Sequence, residues 1–158
     1  MGGYIMDLRR YVGKMPLIQC GASVIVVNKK GEILLQRRRD NGLWAYHGGS
    51  IEPGESCEEA AARELYEETG LIADELRLLG VFSGKEYYYV YPNGDPVYNI
   101  DVVFVCTNYH GTVKADPGEI LELKWYPPDK IPEDLSPQIR TPLHTYIKSI
   151  KEEQHHGA

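Results

Sequence analysis

The stretch Gly48–Leu71, GGSIEPGESCEEAAARELYEETGL, constrains this chain more than any other. Six glutamates fall between Glu55 and Glu68, and Arg63 is the one basic residue among them. Pro53-Gly54 marks a turn. Ser56, followed three residues later by Glu59, forms a capping box, and the run Ala60 to Leu65 is made mostly of strong helix formers. Gly70 suits the left-handed position just past a helix end, with Leu71 placed to pack back. These signals predict a helix over 57–69. Cys57, Ala61 and Leu65 recur at i, i+4 and i+8 and predict its buried stripe. Glu64, Glu67 and Glu68 stand at i, i+3 and i+4, so their carboxylates project from one other face, toward the glycine loop. Like charges at i, i+4 cost roughly 0.2–0.5 kcal/mol per pair. A divalent cation turns that repulsion into binding, because hard cations take carboxylate oxygens. A merely solvated helix face is the competing reading.

The same residues carry a resemblance. Gly49, Glu55, Arg63, Glu64, Leu65, Glu67, Glu68, Gly70 and Leu71 fill every specified position of the Nudix box, G-x5-E-x7-R-E-U-x-E-E-x-G-U with U aliphatic. Nine fixed positions at fixed spacing are a specific signal, and the chain resembles the Nudix (MutT-like) hydrolases over this stretch. The resemblance implies an α/β fold, a Nudix-type α/β/α sandwich in which helices flank a mixed sheet. It implies Mg²⁺- or Mn²⁺-dependent hydrolysis of a diphosphate bond in a nucleoside diphosphate derivative. By resemblance, the Gly48 carbonyl, Glu64, Glu67 and Glu68 hold metal, and Arg63 with Glu55 forms an orienting ion pair behind them. Glu64 either binds metal or acts as general base. A further carboxylate is expected from a distant loop. Glu119 is the candidate and Glu122 the runner-up, against a plain surface role for either. His47 stands where the family usually has proline, a departure in the loop that leaves the metal ligands untouched.

The chain's 158 residues suffice for one domain with a sizeable core, assigned to 1–158. A hydrophobic content of 42% fits a globular protein. The net charge of −6 argues against a general nucleic-acid binder, so no DNA partner is expected. Three cysteines without a CxxC suggest neither a disulfide framework nor a zinc site, and reduced, mostly buried thiols in a cytoplasmic protein are the expectation. Nothing at the start resembles a signal peptide, and no apolar run is long enough to span a membrane.

Residues 1–16 read as an N-terminal arm, with 7–14 either a short helix or loose. Leu17–Val27 reads as a buried strand and 32–38 as its hairpin partner across the turn at 28–31. Trp44–His47 is a short extended piece. Beyond the predicted helix, 76–83, 86–91, 97–105 and 120–126 read as strands, the second and third joined by a Pro92–Asp95 hairpin turn and 109–111 forming a turn. A last helix is expected to begin at Ser136-Pro137 or Thr141-Pro142, with Leu143, Tyr146, Ile147 and Ile150 as its apolar face. Residues 152–158 read as a frayed tail.

Substrate-binding candidates lie outside the box. Arg37 and Arg39, with Arg38 between them, either steer phosphates or form an exposed strand end. Trp44 either lines a cleft or packs in the core. Tyr89, in a run with Tyr87, Tyr88, Tyr91 and Tyr98, either stacks a nucleobase or makes cross-strand and dimer contacts; a homodimer is the oligomeric expectation. The expected substrate is a small nucleotide, a (deoxy)nucleoside triphosphate or a dinucleoside polyphosphate. The competing readings are a non-catalytic nucleotide sensor and an RNA 5′-pyrophosphohydrolase. Sensors of this kind usually lose box glutamates, and this chain keeps them all.

Overall fold

A computed structural model describes residues 3–156. The chain opens with helix α1 (Tyr4–Val12), then strands β1 (Leu17–Val26), β2 (Ile33–Arg38), β3 (Trp44–Ala45) and β4 (His47–Ser50). Helix α2 (Cys57–Thr69) is followed by β5 (Ile72–Phe82), β6 (Tyr88–Val90), β7 (Pro96–His110) and β8 (Ile120–Tyr126). Helix α3 (Arg140–His156) ends the described chain. The larger sheet has the order β4-β1-β7-β5, with β6 also paired to β7, and the smaller has the order β3-β2-β8. β1 and β7 run parallel, while the other pairings between these strands are antiparallel. The result is a mixed α/β arrangement.

Local chemistry sets α2 as the sequence predicts. The Ser56 hydroxyl accepts the Glu59 N–H at 3.0 Å, satisfying one of the orphan donors of the first turn. Gly70 closes the helix at φ 77°, its N–H donating to the Tyr66 carbonyl, and a β-carbon there would sit 2.8 Å from the Thr112 carbonyl. The buried side of α2 is wider than the expected stripe: Ala60, Ala61, Leu65, Glu68 and Thr69 are buried, and Cys57 only partly. This face packs on Ala22, Val24, Val26, Leu34, Phe104 and Cys106. A second core, including Ile25, Ile33, Leu35, Trp44, Val103 and Leu143, joins the two sheets to α3.

Several expectations change. β2 is not the hairpin partner of β1; a single bridge, Val27 to Ile33, links them, and β2 pairs with β3 and β8 instead. The reason is competition, since both edges of β1 are already taken by β4 and β7. The turn Asn28–Gly31 therefore passes the chain from one sheet to the other, with the Asn28 side-chain oxygen accepting the Lys30 and Glu32 N–H groups. β7 runs on to His110, past the expected turn at 109, because β5 begins at Ile72 and pairs with it there. Lys85–Tyr87 is a 3₁₀ turn rather than strand. Residues 4–12 are helical. Pro137–Ile139 forms a 3₁₀ turn leading into α3. Residues 152–156 are helical rather than frayed, and 157–158 lie outside the described residues, as do 1–2. Cys106 is buried but Cys20 is exposed, and all three thiols are free. Among the described residues no helix is long and apolar enough to cross a membrane.

Leu65 is fully buried at the centre of the α2 core. Leu65→Ala is expected to lower the unfolding free energy by about 2–5 kcal/mol, checked by urea denaturation.

Candidate active site

A cleft of about 690 Å³ opens between the two sheets. Gly21 and Ser23 of β1, Gly48 and Gly49 of β4 and Asp101 of β7 are among the residues that form it, with Glu64 and Glu68 entering from α2. Residues 38–41 form one lip, Tyr89 and Tyr91 a wall, and Gly118, Glu119 and Ser136 further edges.

Arg63 organises the carboxylates. Its guanidinium donates to both oxygens of Glu55, at 2.7 and 2.9 Å. It also reaches Glu64 at 2.9 Å, Glu67 at 3.3 Å and the Ser50 carbonyl at 3.1 Å. The Glu55 carboxyl is held down at about 2, first by Arg63 and then by the Glu52 N–H. Glu64 moves the other way: burial raises its pKa despite the bond to Arg63, and Glu67 and Glu119 add repulsion. Glu68 is buried and accepts the Gly48 N–H at 3.1 Å. Its pKa lies well above the usual carboxylate range because of burial, followed by the charge on Glu64. Both glycines are needed at close quarters. A β-carbon on Gly49 would lie 2.5 Å from the Glu64 carboxylate, and one on Gly48 would meet the Ser23 hydroxyl and lie 2.6 Å from the Ala22 carbonyl.

The helical face predicted for three glutamates divides. Glu64 and Glu68, one turn apart, line the cleft, while Glu67 is exposed and lies outside its lining, bonded to Arg63. Glu119 lines the cleft; the exposed Glu122, on β8 opposite Arg37, does not. Strand alternation turns Gln36 and Arg38 to the cleft and Arg37 away from it, bonded to the Gly42 carbonyl at 3.1 Å; past the register shift at Arg37/Arg38, Arg39 lines the cleft as well. Asp40 holds Arg38 through two bonds of 3.0 and 2.8 Å. Trp44 is not in the cleft. It is buried edge-to-face against Tyr126, with ring centroids 5.2 Å apart, so two of the four substrate candidates, Arg37 and Trp44, are placed elsewhere.

Sequence reasoning missed the polar floor. Asp101 accepts from the Ser23 hydroxyl at 2.7 Å and the Tyr46 hydroxyl at 2.9 Å, and burial raises its pKa. An acid inside the apolar run of β7 was the available signal. Gln19, Asn99 and Gln138 also line the cleft.

His47 is fully buried, its Nδ1–H donating to Gln36 Oε1 at 2.9 Å, and among the described residues its Nε2 has no hydrogen-bond partner. Burial lowers its pKa to about 4. It is therefore neutral near pH 7, and its 3.7 Å approach to Glu68 is not an ion pair there. Among the described residues, no three Asp, Glu, His or Cys side chains converge on one ion-sized point. The donor chemistry nevertheless suits a hard cation: Glu64, Glu68 and Glu119 are oxygen donors in one cleft, repelling one another.

The family model described as the NUDIX domain matches residues 18–146. A Bacillus subtilis protein, provisionally named an 8-oxo-dGTP diphosphatase, is 34% identical over 126 residues, covering 80% of this chain and 78% of its own. An Erythrobacter litoralis RNA pyrophosphohydrolase is 30% identical over 151 residues, covering 84% of this chain and 90% of its own. The crystal structure of a MutT protein from Methanosarcina mazei superposes with a TM-score of 0.70 at 28% identity, covering 86% of this chain and 97% of its own. The chain belongs to the Nudix family. It is a Nudix pyrophosphohydrolase, acting on phosphoric anhydride bonds.

The lowered pKa of His47 has a stability consequence. The unfolded chain takes up this proton near pH 6.5 and the folded chain only near 4. Stability present above pH 6.5 is thus lost as the pH falls to 4, by about 3 kcal/mol in total. His47→Asn is expected to remove that part of the acid sensitivity, seen in urea denaturation of the metal-free proteins at pH 7 and pH 4.

Proposed function

We propose that the cleft binds a nucleoside polyphosphate, foremost a (deoxy)nucleoside triphosphate, and hydrolyses a diphosphate bond within it with Mg²⁺ or Mn²⁺. One observation carries the reading: Glu64, Glu68 and Glu119 share a single cleft with Arg38, Arg39 and the tyrosine wall. Cations and hydrogen-bond donors meet phosphate oxygens, and an aromatic wall receives a flat base. The name of the Bacillus subtilis relative points to the same class of substrate.

Glu68, Glu119 and the Gly48 carbonyl would hold the metal, and Glu67, next to Glu68 on α2, would add a further carboxylate. When bound, such ions neutralise phosphate charge and act as Lewis acids. The chain's own residues do the rest. Arg38, braced by Asp40, and Arg39 orient the polyphosphate. Arg63, itself braced by Glu55, fixes the carboxylate of Glu64. That carboxylate has a raised affinity for protons and takes the proton of the attacking water as the water's oxygen bonds to phosphorus. The bridging P–O bond breaks, and the anhydride oxygen leaves with the departing phosphate group. Catalysis is positioning and charge compensation rather than covalent chemistry.

The test is a metal-dependent hydrolysis panel of deoxynucleoside triphosphates (oxidised guanine included), ADP-ribose, diadenosine polyphosphates and 5′-triphosphate RNA. A nucleoside triphosphate is expected to turn over fastest, and EDTA to abolish the reaction. Glu68→Gln is expected to cost at least about a hundredfold in kcat with an unchanged circular dichroism spectrum. Near-normal turnover by Glu68→Gln, or preference for RNA or ADP-ribose, would overturn this assignment. Gly49→Ala, which drives a methyl group into Glu64, is expected to lower kcat by about tenfold or more in the same assay.

A further inference from the structure

Helix α1 lies outside the residues matched by the family model, yet it is tied both to the loop before α2 and to the β6–β7 hairpin. At its start, the Tyr4 N–H donates to the Glu52 carboxylate at 3.0 Å, a placement that the helix dipole favours. The Glu52 N–H in turn donates to Glu55, the carboxylate that braces Arg63. At its other end, one buried guanidinium does the holding. Arg9 donates to the Gly13 and Met15 carbonyls at 2.9 and 2.6 Å and to the Pro96 carbonyl at 2.5 Å. Its Nε has no hydrogen-bond partner among the described residues and faces Asp95 at 3.8 Å. Lys14 adds bonds to the Asn93 carbonyl at 2.6 Å and to Asp95 at 3.0 Å.

Both cations therefore grip residues 93–96, the end of the turn that joins β6 to β7 and the first residue of β7. The other arm of that hairpin carries Tyr89 and Tyr91, packed edge-to-face with centroids 5.0 Å apart and lining the cleft. The turn is short and internally bonded: Tyr91 N–H donates to the Asp95 carbonyl at 3.0 Å and Gly94 N–H to the Tyr91 carbonyl at 2.8 Å. A displacement at Asp95 is thus passed directly to Tyr91. Apolar packing of α1 is slight, Arg9 being its one buried residue, so the polar grip is what joins the helix to the hairpin, whose arms are paired to each other.

We propose that α1 is a strap that holds the Tyr89–Tyr91 wall over the cleft, with Arg9 as the positioning residue for the base end of the substrate. The proposal rests on the nucleotide reading above for its kinetic consequence, but not for its structural one. Arg9 touches no substrate; it acts through the hairpin.

The test compares wild type with Arg9→Met and Lys14→Met, by hydrogen exchange without nucleotide and by kinetics with the fastest triphosphate. In Arg9→Met, the amides of Tyr91 and Gly94 are expected to exchange at least about tenfold faster while those of α2 keep their rates. KM is expected to rise about tenfold with kcat within about twofold, a pattern that general destabilisation does not produce. Lys14→Met gives the same signs with smaller size and carries the test if Arg9→Met does not fold. Adding Arg9→Met to Tyr89→Ala/Tyr91→Ala is expected to raise KM no further. Unchanged hairpin exchange, a fall in kcat without a rise in KM, or full additivity in the triple variant would overturn the strap. A wild type that hydrolyses no nucleotide would sink the nucleotide reading alone, and the exchange rates would still decide the strap.

Discussion

One guanidinium fixes the acidic side of the cleft. Arg63 reaches the end of β4 through Ser50, the loop before α2 through Glu55, and the helix itself through Glu64 and Glu67. The bidentate contact to Glu55 is charge-assisted and directional. Its worth lies in geometry more than stability, because the pair is partly exposed to water. Without that brace, the Glu64 carboxylate would have only the narrow space left by Gly49 to define it. Repulsion among Glu64, Glu68 and Glu119 would then spread the site rather than focus it.

The cleft divides its labour by element. α2 and the glycine strand β4 bring carboxylates and backbone, the lip at 38–41 brings cations, and the β6–β7 hairpin brings aromatic surface. Each part rests on a different piece of the scaffold, and Asp101 links the floor beneath them by bonding to both Ser23 and Tyr46. A shift in one element therefore alters the span between acids and tyrosines without changing the acids themselves.

What the sequence discloses follows the range of the forces involved. α2 is legible residue by residue because its cap, its formers and its terminating glycine act within a few positions of one another. The fate of β2 is not legible, since it depends on β4 and β7 having filled the edges of β1. Arg37 and Arg38 must face opposite ways on a strand, but which of them meets the cleft depends on how β2 is seated between β3 and β8. Trp44 is ambiguous by residue type, and the contact with Tyr126 that decides it spans distant elements. Glu119, which the resemblance names as a candidate, lines the cleft, whereas Asp101 is marked in the sequence only as an acid within an apolar strand.

The parallel pairing of β1 with β7 has a consequence for how the molecule comes into being. Leu17 pairs with Val97 and Gly21 with Asp101, so the centre of the larger sheet joins segments about eighty residues apart. Closing such a loop precedes any reward from it, which slows this pairing relative to local structure such as α2. The cleft floor straddles that seam, with Gly21 and Ser23 on one side and Asp101 on the other. No partly folded chain can present the floor before the seam has closed. On the ribosome, the floor forms only after β7 has been made, even though the whole acidic box emerges well before it.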